Sequence, residues 1–450
     1  MTRPARILVI GDSSEHDARL AGQLRSFGFD STAYPLDQAK EVSSQDHDAD
    51  IMILKMSAAQ TPDNAERFMR VAKELKALER HHPAPIILVG EQNEDHRQSA
   101  CTAAESGDVD DVILGQTGED QICGRIHSLM RLSTMRDELN RRLATTSEYG
   151  VDAPYYVAPP KQVRNAKILI VGPSIYYAEI ERTLPRDATL TGALSYSIAM
   201  DYLNEHSFDT VLVDVADNPE KAMDFTRAMR QNSRLYNLPV VFFASEKQDE
   251  SLAQAYANGV TDILYAPFSQ AQINARLMSL VRESRFRDAM KHIYAKARHL
   301  ATSDALTGLY SRGFLLSHMQ SVIRDAQKYG HALTVIAMNV GNIRDINSQY
   351  GYIVGDRILR QVGEAIGLLT RGEDLAARYS GSGFVVLLPD TPVEAANVAM
   401  RRIRAIINCT DFSLKELSEP VEVYLECAMA ELEVDDSPET LIKRARANCA

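Results

Sequence analysis

The chain has 450 residues, enough for about three domains of ordinary size, each able to bury its own core. Its formal net charge of −12 argues against nonspecific nucleic-acid binding, which wants a basic face. Cys101, Cys123, Cys409, Cys427 and Cys449 are odd in number and lack C-x-x-C spacing, so they read as reduced packing thiols and not as a disulfide or metal framework.

The N-terminal residues run straight into a short strand that ends at Asp12, with no secretory apolar region. No apolar run approaches the ~20 residues of a membrane helix, so the expected location is cytoplasmic. An internal repeat organises the first 300 residues. Residues 5–11 (Ala-Arg-Ile-Leu-Val-Ile-Gly) recur as 166–172 (Ala-Lys-Ile-Leu-Ile-Val-Gly), and 50–55 recur as 209–214. Residues 85–89 are echoed by 239–243, and 107–114 by 259–268. Short apolar, β-rich runs separated by helical-length segments predict parallel strands buried on both faces of an α/β sheet.

The order and spacing resemble two receiver domains of flavodoxin-like topology, whose ligands gather at the strand C-termini. A working receiver needs an acidic pair after strand one, an Asp after strand three, a hydroxyl after strand four and a Lys after strand five. The first copy has Gly11-Asp12, Lys55, Gly90 and Gly115 at those places, so it reads as a pseudo-receiver. The second keeps Asp214 as a possible phosphoacceptor, but beside Gly172-Pro173, Ala244 and Ala266. A solvated strand-end Asp is an equal reading of that residue.

Residues 145–164 carry Pro154, Pro159 and Pro160 among Tyr, Ser and Gly, the composition of an exposed linker. Residues 269–301 lack Pro and Gly and place Ile273, Leu277, Leu280, Val281, Met290, Ile293 and Leu300 at mostly helical spacing, predicting one long helix. Receivers often dimerise through such late helices, so a homodimer is expected, with packing of the helix on its own domain as the alternative.

The last third carries the sharpest signals. Residues 303–312 read Ser-Asp-Ala-Leu-Thr-Gly-Leu-Tyr-Ser-Arg, residues 371–374 Arg-Gly-Glu-Asp, and residues 378–388 Arg-Tyr-Ser-Gly-Ser-Gly-Phe-Val-Val-Leu-Leu. These resemble the D-x-L-T-G-L-x-N-R opening, the R-x-x-D inhibitory site and the R-Y-G-G-[DE]-E-F hairpin of the GGDEF diguanylate cyclase family. The resemblance implies a cyclase-palm-like domain with a mostly antiparallel central sheet. It also implies positions: the metal-binding first Asp falls on Asn339 and the second on Gly341, while the guanine contacts fall on Asn347 and Asp356. Ser380, Gly381, Ser382, Gly383 and Phe384 occupy the degenerate signature.

Metal-assisted phosphoryl transfer needs hard anionic ligands, which serine and glycine do not supply. No catalytic residue, metal or catalytic cofactor is therefore expected. Family members also close with a helix whose late Lys and Arg contact phosphates, contacts that residues 443–450 do not supply at the family's positions. Arg371 and Asp374 remain, with five residues between Asp374 and Ser380, and Arg402 aligns with the arginine that completes the family's site. An Arg can pair with a guanine edge or a phosphate, and an Asp can accept from guanine N1 and N2.

The expected architecture is α/β and α+β multidomain: a pseudo-receiver at 1–135, helix end and linker at 136–164, a receiver-like domain at 165–284, a helical stalk at 285–302 and a degenerate GGDEF domain at 303–450. The resemblance implies a cyclic di-GMP receptor that holds an intercalated ligand dimer and signals by protein contact. It further implies cell-cycle control at the cell pole, with partners of a proteolysis-adaptor type. Two alternatives stay open: a residual diguanylate cyclase acting on GTP, or a phosphorylation-driven scaffold acting through Asp214.

Overall fold

The structure is a computed structural model that describes residues 4–39, 41, 49–56, 62–77, 84–90, 107–114, 119–150, 163–215, 218–232, 234–245, 252, 254–266, 270–297, 302–413 and 419–447. Gly115, Cys101, Cys449, Leu300 and the three linker prolines lie outside them. The chain divides into two compact units, one formed by Pro4–Ser133 and Ala158–Asp288, the other by Met1–Arg3, Thr134–Val157 and Ala289–Ala450.

The first unit holds two parallel sheets. Strands β1 (Arg6–Gly11), β2 (Asp30–Pro35), β3 (Ile51–Lys55), β4 (Ile86–Gly90) and β5 (Asp111–Leu114) pair in the order β2-β1-β3-β4-β5. Helices α1 (Ser14–Ser26) and α2 (Pro62–Ala77) fall between them, and α3 (Glu119–Glu148) follows β5. Side chains alternate across β1: Ile7 and Val9 join one core while Leu8 and Ile10 join the other. Burial on both faces is why these strands read as continuous apolar runs.

The second copy repeats the plan with β6 (Lys167–Val171), α4 (Tyr177–Thr183), β7 (Thr189–Ala193), α5 (Tyr196–Glu205), β8 (Thr210–Asp214), α6 (Pro219–Gln231), β9 (Val240–Ser245), β10 (Asp262–Ala266) and α7 (Gln270–Ala297). Its sheet order is β7-β6-β8-β9-β10.

A buried charge lattice joins the two copies. Arg125 pairs with Asp111 fourteen residues before it, and Arg276 pairs with Asp262 at the same spacing. Arg276 Nη1 also donates to Asp111 Oδ1 at 2.8 Å, Arg125 Nη2 reaches Glu283 at 3.1 Å, and Gln121 donates to Asp262 Oδ1 at 2.7 Å. Burial alone would raise the Asp111 carboxyl, but Arg125 and Arg276 outweigh it and hold it below the usual carboxylate range. The lattice repeats the sequence repeat: each copy supplies one strand-start Asp and one helix Arg.

The second unit is built on β11 (Leu333–Val340), β12 (Leu375–Ser380), β13 (Gly383–Pro389) and β14 (Leu425–Glu431), antiparallel in the order β12-β13-β11-β14. Helices α10 (Tyr352–Leu369) and α11 (Val393–Asn408) cover one face around Ile336 and Met338. Helices α8 (Arg312–Tyr329) and α12 (Pro438–Ala447) cover the other around Val335 and Ala337. Ser311, a departure from the family motif, caps α8 by accepting from Phe314 N–H at 3.3 Å. Gly351, at φ +87°, separates α9 (Ile343–Tyr350) from α10. Two parallel-sheet α/β domains and one domain with an antiparallel sheet are the architecture expected from the sequence.

Candidate functional site

The hairpin β12–β13 closes through Gly381, at φ +47°. Arg378 holds that turn: its Nε and Nη2 donate to the Gly381 carbonyl at 3.0 and 2.9 Å, while Nη1 reaches Asp304 at 3.2 Å. Asp304 in turn accepts from Thr307 N–H and Oγ1 at 2.9 and 2.8 Å. Burial pushes the Asp304 carboxyl up, and the Thr307 hydrogen bonds with Arg378 more than reverse it. The opening motif and the hairpin motif thus meet in space as one structural tie.

Beneath the turn lies a cavity of about 420 Å³, lined by Asn339, Tyr379, the Ser380–Phe384 segment, Glu426 and Arg446 among others. Ser382 Oγ donates to Asn339 Oδ1 at 2.8 Å, and Asn339 Nδ2 donates to Glu426 Oε2 at 3.2 Å. Of the vestigial pocket residues, Asn339 faces this cavity; Asn347 and Asp356 are not among its lining. Asn347 instead packs against Gly355 on the next helix, where its Oδ1 would collide with any Cβ. Asp356 is exposed on α10.

A divalent metal at this cavity would be the family's catalytic centre, and the donor set does not fit it. Asn339 and Ser382 are neutral and are engaged with each other, leaving Glu426 as the carboxylate there. Gly341 has no side chain, and a Cβ there would lie 2.8 Å from Glu426 Oε1. Among the described residues no group of three His, Cys, Asp or Glu could hold a metal ion.

Sequence reasoning missed two charged residues of the cavity. Glu426 lies on β14, paired in register with Asn339. Arg446, on the last turns of α12, brings a cation to the rim and lies 5.6 Å over the Tyr379 ring, with Arg312 4.7 Å over the same ring. The one available signal was helical phase, which places Arg446 one turn beyond buried Ile442.

Arg371 and Asp374 form a tight turn between α10 and β12. The Asp374 carboxylate accepts from Arg371 N–H at 2.8 Å, and Asp374 N–H donates to the Arg371 carbonyl at 3.2 Å. Arg402, exposed on α11, donates from Nη2 to the Leu369 carbonyl at 2.9 Å, two residues before Arg371. All three residues therefore gather where α10 ends. Residues 285–288 (Arg-Phe-Arg-Asp) repeat the R-x-x-D spacing, and there Arg285 binds Asp209 and the carbonyls of Arg164 and Asn165.

In the first receiver-like copy Lys55 ends β3 and donates from Nζ to the His16 carbonyl at 2.8 Å. Asp17, absent from the sequence reading, is buried beside Gly11, and a Cβ at Gly11 would collide with its carboxylate. In the second copy Asp214 ends β8 with 9% of its surface exposed.

Residues 301–450 match the family model described as "Diguanylate cyclase, GGDEF domain". Over 449 residues the chain is 26% identical to the response regulator PleD of Caulobacter vibrioides, spanning 98% of this chain and 95% of that one. Over its whole length the chain is similar to a PleD-type response regulator, with the GGDEF match confined to residues 301–450. The GGDEF domain is also 29% identical over 148 residues to the diguanylate cyclase DgcP of Pseudomonas aeruginosa, covering 33% of this chain and 22% of that protein. Among solved structures, the GGDEF domain of DgcB from Caulobacter crescentus in complex with c-di-GMP aligns at a TM-score of 0.32 and 22% identity, over 33% of this chain and 86% of that one. No described helix is long and apolar enough to cross a membrane.

Proposed function

We propose that this GGDEF domain is catalytically inactive and that the chain acts as a cyclic di-GMP receptor through Arg371, Asp374 and Arg402. The observation that carries the reading is the Ser382–Asn339 hydrogen bond, a neutral pair where the family places carboxylates. Without them the metal that neutralises and orients a triphosphate is left with Glu426 as its carboxylate in this cavity. The Arg371–Asp374 turn retains its own geometry, with the carboxylate buried against the turn and the guanidinium partly exposed. Ligand bound there, as an intercalated dimer, replaces product formation as the output.

The signal then passes by protein contact, in a homodimer and with partners at the cell pole. This is the role of PopA, the degenerate paralogue of PleD, whose pattern of a lost signature and retained R-x-x-D this chain shares. The test incubates purified protein with GTP and magnesium or manganese and follows cyclic di-GMP by chromatography. No product above the buffer blank supports the receptor reading, and sustained turnover removes it.

A further inference from the structure

The C-terminal half of α3 belongs to the second compact unit, and it touches the R-x-x-D turn through Met135 and Arg142. Met135, Glu138, Leu139, Arg142, Leu143, Thr145 and Thr146 form one buried stripe at helical spacing. Two of these residues touch the turn directly. A Cβ at Gly372 would lie 2.5 Å from Met135 Cε, so the methionine occupies the space that only glycine leaves open. Arg142 Nη2 donates to the Glu373 carbonyl at 2.6 Å.

Arg142 is itself fixed. Glu138 Oε1 accepts from its Nε at 2.8 Å, and the same oxygen lies 2.7 Å from His318 Nε2 on α8. Thr145 Oγ1 meets His318 Nδ1 at 3.2 Å. Arg142 also stacks 5.8 Å over the Tyr310 ring. Glu138 and His318 are fully buried and Arg142 is 4% exposed. A buried ionic cluster costs desolvation, so its return is best sought in geometry that it specifies. Here that geometry is the middle of the turn: Met135 sits against Gly372, Arg142 on Glu373, and Arg371 and Asp374 flank both.

We propose that Met135 and Arg142 are positioning residues of the Arg371–Asp374 ligand site, so that docking of the 134–148 helix and occupancy of the site favour each other. The proposal rests on the receptor reading above. Its physical content is linkage: a helix that holds the turn in its binding shape raises ligand affinity, and ligand that holds the turn raises helix docking by the same factor. The first half of α3 packs through Ile122, Ile126 and Leu129 in the core of the first receiver-like copy.

The experiment uses the full chain, wild type and Met135→Ala, Met135→Leu, Arg142→Ala and Arg371→Ala. Amide hydrogen exchange is read at residues 371–376 without ligand, and cyclic di-GMP affinity by calorimetry. In Arg142→Ala and Met135→Ala the turn amides exchange about tenfold faster and the Kd weakens about tenfold, while Met135→Leu stays near wild type. Arg371→Ala abolishes binding with turn exchange unchanged. Should Arg142→Ala fail to fold, Met135→Ala carries the same two readouts. Unaltered exchange and affinity in a folded Met135→Ala or Arg142→Ala protein overturn the proposal. Failure of the wild type to bind overturns the receptor reading and the linkage together, and the ligand-free exchange still decides whether the helix shapes the turn.

Discussion

Ser382 donates its hydroxyl proton to the side-chain oxygen of Asn339 across 2.8 Å, and the Asn339 amide passes a second hydrogen bond to Glu426. Hydroxyl and amide satisfy each other where two anions would repel unless a cation lay between them. Arg378 ties the hairpin turn to Asp304 of the domain's opening loop.

Restoring the anions should therefore restore metal affinity. Asn339→Asp combined with Ser382→Asp creates a paired-carboxylate site beside Glu426, and calorimetry should then show manganese binding that the wild type lacks. Equal manganese binding by wild type and variant would remove the donor-set argument.

Arg378→Ala cuts the turn from the domain's opening loop. Charge-assisted hydrogen bonds of this kind contribute about 1.5–3 kcal/mol, and partial exposure places this one at the lower end. Chemical denaturation should show a loss of about 1–2 kcal/mol with cyclic di-GMP affinity unchanged. A parallel loss of affinity would mean that the hairpin contributes to the ligand site.

The charge lattice of the first unit is a second target. Arg276→Ala leaves Asp111 and Asp262 buried with one cation fewer, and breaking a buried pair on one side costs about 3–5 kcal/mol. Urea denaturation of the full chain should show that loss in the transition of the receiver pair. A change below about 1 kcal/mol would mark the lattice as solvent-relaxed.

Acid should act on the Glu138 cluster. Burial would raise the Glu138 carboxyl, but His318 and Arg142 outweigh it and hold it at about 2, against 4.5 for a free glutamate. A carboxyl depressed on folding contributes stability that is complete above the unfolded value and is lost as pH falls toward the folded one. The cluster's contribution should thus fade between pH 4.5 and about 2. Glu138→Gln should lower stability at neutral pH and flatten its pH dependence in that window. An identical acid limb in wild type and variant would contradict this.

The parallel strands were legible because Ile7 to Ile10 and Ile168 to Val171 are buried on both sides, which leaves a pattern in the sequence itself. The R-x-x-D turn and the hairpin were legible through motif register. The charge clusters were not. Glu138 and His318 are 180 residues apart, and Arg276 and Asp111 are 165 apart. In the sequence each looks like one more solvated charge on a helix, and only packing brings the partners together. The repeat did hold a clue, since Asp111 with Arg125 and Asp262 with Arg276 share one spacing. Arg446 was not legible because it does not fall at the register of the family's phosphate contacts, and packing alone brings it to the cavity.

Cyclic di-GMP titrated into wild type and Arg371→Ala, side by side in a calorimeter, decides the matter most directly. The wild type should bind stoichiometrically, at two ligands per site for an intercalated dimer, and Arg371→Ala should show no heat of binding. Undiminished binding by Arg371→Ala, or none by the wild type, would contradict the placement of function at the turn between α10 and β12.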